Sequence, residues 1–219
     1  MSAFVQASFS ASAAKPGDIP PEAGPELAFA GRANAGKSSA INALTGRKRL
    51  AFVSRTPGRT RTINFFDLGA CGRLADLPGY GYASAPRTLR AGWEPLVGGY
   101  LAGRSCLAGV VVLMDARRPL AAGDRHFLAW LAPVAAPRLI LLSKSDKLPR
   151  AEGARALKHA REALARSGIA ATVMLFSSRN RQGVDEARKL LGGWLHDADR
   201  GAGNKKPPAK GKPTGGKAP

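Results

Sequence analysis

The sequence predicts an α/β fold, a mostly parallel sheet with helices on both faces. Three observations predict it. Short apolar runs alternate with stretches of helical periodicity from residue 27 to residue 196. The runs at 109–114 and 138–142 are apolar and nearly unbroken, as in strands buried on both sides. Each polar motif falls directly after such a run, where open α/β sheets bind their ligands.

Taken in order, residues 1–22 are rich in small residues and Pro and read as a flexible leader. Residues 27–30 read as a strand and 36–44 as the helix that follows. Residues 62–68 and 73–76 read as two strands joined by a tight turn at 69–72. That hairpin gives a six-stranded sheet one antiparallel edge strand. Helical patterns cover 93–101, 124–131, 151–166 and 184–196, and further strands lie at 109–114, 138–142 and 172–176. The folded domain is therefore expected over 23–197. Beyond it, Lys205, Lys206, Lys210, Lys212 and Lys217 stand in a segment without acids and almost without apolar residues, and residues 198–219 read as a disordered basic tail.

The 219 residues suit one such domain with its two ends. Hydrophobic residues make up 44% but aromatics only 6%, so the core is expected to rest on Ala, Val and Leu. The formal net charge of +19 implies attraction to polyanions: RNA, DNA or an anionic membrane face. Cys71 and Cys106 form no metal-binding or disulfide pattern and read as reduced thiols. Residues 1–20 lack the basic and apolar regions of a signal peptide, and the apolar run at 107–114 is too short to span a bilayer. A soluble, cytoplasmic protein without a membrane partner is expected.

Gly31-Arg32-Ala33-Asn34-Ala35-Gly36-Lys37-Ser38 fits G-x-x-x-x-G-K-[ST] between a strand and a helix. The glycines let backbone N–H groups wrap a β-phosphate at the helix N-terminus. Lys37 would bridge the β- and γ-phosphates, and the Ser38 hydroxyl would ligate Mg²⁺. Asp76-Leu77-Pro78-Gly79 follows the third strand. Asp76 would hold Mg²⁺ through water, and Gly79 would offer its N–H to the γ-phosphate.

Ser143-Lys144-Ser145-Asp146 matches the guanine motif [NT]-K-x-D with Ser in first place. A carboxylate at Asp146 can accept hydrogen bonds from guanine N1–H and the 2-amino group. Adenine lacks that donor pair, and such polar mismatches discriminate by about 10⁴. Lys144 would lay its aliphatic stem along the base. Phe176-Ser177-Ser178 ends the last strand and could present an N–H to guanine O6. These four elements, in this order, describe a three-layer, Ras-like P-loop NTPase that binds GTP and GDP with Mg²⁺.

With these residues in hand, the chain resembles the EngB-type GTPases. The resemblance rests on the phosphate motif extended to Ser39, on Thr56-Pro57-Gly58-Arg59-Thr60, and on Ile63-Asn64-Phe65-Phe66. It also rests on Asp76-Leu77-Pro78-Gly79-Tyr80-Gly81-Tyr82, on Asp115-Ala116-Arg117-Arg118 with Asp124 following, and on Phe176-Ser177-Ser178. It covers about residues 20–196. Ser143, Ala33 and Arg61 depart from residues more usual in the family.

The resemblance implies that 57–60 is the switch I loop, with Thr60 a second protein ligand of Mg²⁺. Gly58, Arg59, Thr60, Arg61 and Thr62 would then border the nucleotide. Switch II would run from Asp76 to Tyr82 and into the next helix. The catalytic set is Lys37, Thr60 and Gly79. The resemblance further implies a switch in large ribosomal subunit assembly, with a linked requirement in cell division and septation. A division regulator acting through a protein effector, and an RNA-binding scaffold with structural GTP, are the alternatives.

Ras-type enzymes place a glutamine just after Asp-x-x-Gly to position water. Tyr80 stands there, which predicts slow intrinsic turnover. Arg59 either assists in cis or contacts RNA. Asn34 either binds K⁺ between the phosphates, as in related GTPases, or braces the loop. Arg47, Lys48, Arg49, Arg55, Arg59 and Arg61 surround switch I and, with the lysine tail, favour folded RNA bound by backbone and shape over base-stacked strands or DNA sequence recognition. That this RNA is rRNA of the large subunit precursor is what the resemblance implies. A monomer is expected.

Overall fold

The structure is a computed structural model and describes residues 4–52, 62–80 and 87–203. Its strands are β1 (Ser8–Ala13), β2 (Glu26–Gly31), β3 (Ile63–Asp67), β4 (Arg73–Asp76), β5 (Leu107–Asp115), β6 (Arg138–Ser143) and β7 (Thr172–Leu175). The helices are α1 (Lys37–Thr45), α2 (Arg87–Gly103), α3 (Ala122–Trp130), α4 (Arg150–Arg166) and α5 (Val184–Gly203).

Strand β5 shows how the layers arise. Successive side chains on a strand point to opposite faces. Val110, Val112 and Met114 enter one core with Leu96 and Tyr100 of α2, Phe127 of α3 and Leu164 of α4. Val111 and Leu113 enter a second core with Ile41 and Leu44 of α1 and Leu191 and Leu195 of α5. Both sets are fully buried, which is why this strand reads as a continuous apolar run. Burying each such side chain contributes about 1.5–3 kcal/mol, so the two cores together hold the helices on the sheet.

The sheet order is β1-β3-β4-β2-β5-β6-β7. β4, β2, β5, β6 and β7 pair in parallel, and antiparallel pairing is confined to the β1, β3, β4 edge. The three-layer, mostly parallel architecture is the one predicted, but the strands number seven rather than six.

The added strand corrects the reading of residues 1–22 as a flexible leader. β1 pairs with β3 from Ser8↔Asp67 to Ala13↔Ile63, with an irregularity between Phe9 and Ala11. Phe4 is 1% exposed and joins the second core. Sheet pairing and one buried aromatic ring secure a segment whose composition alone offers little to bury. At the other end, α5 continues to Gly203, so residues 198–203 belong to the last helix rather than to the tail. Later residues lie outside those described. No helix among the described residues is long and apolar enough to cross a membrane.

Candidate nucleotide-binding site

The loop from Gly31 to Gly36 joins the end of β2 to the start of α1. Gly36 has φ +93°, a conformation open to glycine, and it turns the chain into the helix. Asn34 also takes positive φ, at 62°. The loop carbonyls face protein donors. Gly31 accepts the Tyr80 N–H at 3.2 Å, Arg32 the Ala35 N–H at 2.9 Å, and Gly36 the Ala40 N–H at 2.9 Å. The Asn34 carbonyl accepts Lys144 Nζ at 2.7 Å, and the Ala35 carbonyl accepts the Ser143 hydroxyl at 2.6 Å. A loop whose carbonyls are turned inward presents its remaining amides at the mouth of α1, an arrangement suited to an anion.

Lys37 opens α1 and Asp76 ends β4; their side chains form a direct ion pair and both are nearly buried. Burial raises the Asp76 carboxyl above its ordinary value, and the Lys37 ammonium opposes that shift. The pair stands where a triphosphate would take the lysine and a hydrated Mg²⁺ would take the carboxylate. Ser38 and Ser39 follow in the first turn of the helix, and the Ser38 hydroxyl is an oxygen donor of the kind Mg²⁺ accepts.

After Asp76 the chain passes through Leu77, Pro78, Gly79 and Tyr80, all buried. The Leu77 N–H donates to the Phe29 carbonyl at 2.9 Å, fixing this segment against β2. Thr62 leads into β3 and its hydroxyl donates to Asn64 Oδ1 at 3.2 Å. Pro57, Gly58, Arg59 and Thr60 of the predicted switch I loop lie outside the described residues, as do Arg61, Gly81 and Tyr82.

The base side is built at the ends of β6 and β7. Asp146 Oδ1 accepts the Ser177 hydroxyl at 2.6 Å, which orients the carboxylate and leaves Oδ2 for a ligand. The Ser145 N–H donates to the Phe176 carbonyl at 3.2 Å, and its hydroxyl donates to Gln182 Oε1 at 2.7 Å. The Ser177 N–H donates to the Gln182 carbonyl at 3.0 Å, while Ser178 is exposed. Gly183, at φ +74°, closes this loop so tightly that a Cβ would fall 2.2 Å from the Leu175 carbonyl oxygen. The loop over Asp146 is therefore braced from two directions.

Two predicted base-site residues have further work. The Ser143 hydroxyl fastens the phosphate loop from below. Lys144, at φ +59°, bonds Asp115 Oδ2 at 3.0 Å as well as the Asn34 carbonyl. Asp115 also takes Arg117 through Nε at 2.9 Å and Nη2 at 2.7 Å. Burial alone would raise the Asp115 carboxyl, but the hydrogen bonds from Arg117 and Lys144 outweigh it and hold the group well below the usual carboxylate range.

Sequence reasoning gave no role to Gln182 or to Asp124. Asp124 is 0% exposed and bonds Arg32 of the phosphate loop. Burial raises its carboxyl above the ordinary value, against the hydrogen bonds from Arg32 and Tyr80. The one signal for it was its place after Asp115-Ala116-Arg117-Arg118, which does not reveal its partners.

A family model described as "50S ribosome-binding GTPase" matches residues 26–144. A protein of Dechloromonas aromatica named "Probable GTP-binding protein EngB" is 49% identical over 221 residues, covering all of both chains. One of the same name from Thiobacillus denitrificans is 52% identical over 190 residues, 87% of this chain and 91% of its own. The crystal structure of a probable GTP-binding protein engB superposes with a TM-score of 0.60 at 19% identity, over 78% of this chain and 99% of that one. Era, solved with MgGDPNP and a segment of 16S ribosomal RNA, superposes with a TM-score of 0.62 at 18% identity, over 80% of this chain and 57% of its own. At such identities the solved structures establish the fold, and the two close relatives with the family match establish more: the chain belongs to the EngB family of GTP-binding proteins, a family of GTPases.

Proposed function

We propose that this protein is a GTP-driven switch in assembly of the large ribosomal subunit, docking on a precursor particle in the cytoplasm and leaving after hydrolysis. The observation that carries the reading is the joined site: one phosphate loop, the Lys37–Asp76 pair and an Asp146 carboxylate oriented by Ser177. Such a site can report the presence of a γ-phosphate while holding guanine. The net charge of +19 supports an RNA partner, and the family description points to the large subunit. A requirement in cell division would follow from ribosome supply.

Mg²⁺ would be held by Ser38, by Thr60 and, through water, by Asp76; it would offset charge on the phosphates. Lys37 would move from Asp76 to the β- and γ-phosphates, and Gly79 would meet the γ-phosphate through its N–H. Turnover is slow because Tyr80 replaces the glutamine that would orient water. Asn34, exposed at the rim of the loop, would be the contact for K⁺. Equal GTPase rates in KCl and NaCl at matched ionic strength would remove K⁺ from this scheme.

The deciding experiment is co-sedimentation with large subunits, small subunits and total RNA across a salt series, with GDP and with a non-hydrolysable GTP analogue. Binding to large subunits should strengthen with the analogue. About six phosphate contacts would give a log–log salt slope near −4 to −5. Equal binding to every RNA, whatever the nucleotide, would overturn the switch and turn attention to a protein effector.

A further inference from the structure

The phosphate loop and the residue after Asp-x-Pro-Gly share one partner outside both. Arg32 Nε donates to Asp124 Oδ1 at 2.9 Å, and the Tyr80 hydroxyl donates to the same oxygen at 3.1 Å. The other oxygen, Oδ2, accepts the Ala121 N–H at 3.1 Å, which fixes the carboxylate at the start of α3. Arg32 is held again by the Arg118 carbonyl at 3.3 Å. The Tyr80 ring stacks on Phe127 of the same helix, with centroids 4.3 Å apart and planes 11° from parallel.

The backbone makes the same connection. The Tyr80 N–H bonds the Gly31 carbonyl, and the Ala33 N–H bonds the Tyr80 carbonyl at 3.4 Å. Tyr80 is thus tied to the phosphate loop by its main chain and to α3 by ring and hydroxyl. Gly79, whose N–H would meet a γ-phosphate, is the residue directly before it. Whatever fixes Tyr80 limits where Gly79 can go.

A purely structural role explains less of this. A buried ion pair is on average no more stabilising than apolar packing, so stability alone gives little reason to seat a carboxylate here. The cap of α3 uses only Oδ2. Oδ1 goes instead to two residues on the two segments whose spacing must answer to the γ-phosphate.

We propose that Asp124 is a positioning residue for GTP turnover: by holding Arg32 and Tyr80 on one oxygen it sets the distance between Gly79 and the phosphate loop. Asp124 thereby controls how sharply the site distinguishes GTP from GDP. The inference rests on the reading of Gly31 to Ser38 and Asp76 to Gly79 as the phosphate site.

The test uses the full chain and two small changes. Tyr80→Phe removes one oxygen and keeps the ring on Phe127; Asp124→Asn keeps the shape and removes the charge. Fluorescent GDP and a fluorescent GTP analogue give the affinity ratio, and phosphate release gives kcat and KM. Both variants should hold GDP within about twofold, yet lower kcat and the analogue-to-GDP affinity ratio by about three- to tenfold. The double variant should be no worse than the worse single one, since both act through one contact.

Unchanged kcat and affinity ratio, even with a lowered melting temperature, would overturn the proposal. So would single effects that multiply in the double variant. If Asp124→Asn does not fold, Tyr80→Phe alone decides by the same two readouts. Failure of the unaltered protein to bind GDP would instead overturn the phosphate-site reading itself.

Discussion

The two ends of β2 are both ringed by charge, and they handle it in opposite ways. At the start of the strand, Glu26 is 0% exposed and has both oxygens paired twice. Oε1 takes Arg73 at 3.2 Å and Arg104 at 2.7 Å; Oε2 takes Tyr100 at 3.0 Å and Arg104 Nε at 2.8 Å. Beyond the end of the strand, Lys37 and Asp76 have mainly each other, and Asp146 keeps one oxygen to offer. Charge whose hydrogen-bonding capacity is used up by the chain acts only on the chain, and at Glu26 it holds the fold. Charge with capacity in reserve is available to a ligand. A buried carboxylate by itself therefore says little; the count of its partners separates a group that can meet a ligand from one that acts only through other residues.

The largest expected effect would come from breaking the framework end. Glu26→Ala leaves the Arg73 and Arg104 guanidiniums without their carboxylate while both are largely buried. Removing one partner of a buried pair costs about 3–5 kcal/mol. Urea unfolding should show that loss, whereas GDP affinity of the folded fraction should hold. A stable Glu26→Ala protein with weakened GDP binding would erase the distinction between the two ends.

Lys37→Ala tests the opposite end and should reverse the pattern. Withdrawing a pre-placed cation from developing phosphate charge lowers turnover by about 10²–10³-fold. Steady-state phosphate release would show it. Stability should fall less than in Glu26→Ala, because burial already favours the neutral form of Asp76, which can protonate once Lys37 is gone. An equal loss of stability would mean that Lys37–Asp76 is framework too.

How much of this was readable in the sequence divides along the same line. The interior strands were readable because burial on both faces leaves a run such as Val110, Val111, Val112, Leu113 that no loop would carry. The phosphate and guanine motifs were readable because their residues are contiguous and follow strands. Strand β1 was not: in Ser-Phe-Ser-Ala-Ser-Ala the alternation is carried by one Phe and two alanines, too little apolar surface to mark a strand, and its pairing with β3 depends on residues fifty or more positions away. The Glu26 cluster was equally hidden, since Arg73 and Arg104 lie 47 and 78 positions on. Ser143 was read as the first place of the guanine motif, and the bond of its hydroxyl to the Ala35 carbonyl spans 108 positions. Local motifs state which chemistry is present, and only the sheet order states what each group touches.

Two smaller changes would sharpen the comparison inside the site. Ser177→Ala removes the hydroxyl that orients Asp146. Because Asp146 is only partly buried, water can replace that bond, and GDP affinity should fall by about three- to tenfold without a change in fold. Isothermal titration would measure it, and an unchanged affinity would show that the loop orients Asp146 unaided.

Asp115 should give the smallest effect, and its pH dependence fixes the sign. Its carboxyl is held below the usual range in the folded chain by Arg117 and Lys144. Between the folded and unfolded values the unfolded chain binds the extra proton, so stability falls as the solution becomes more acid. The contribution is complete above the unfolded value of about 3.9 and fades below it. Asp115→Asn should therefore be slightly less stable than the unaltered protein at pH 6, and the gap should close as pH falls from about 4 toward 2. Arg117 is half exposed, so solvent screens the pair and the gap should also narrow with added salt. A gap that persists through pH 2 would assign Asp115 to the framework, held by shape rather than by charge.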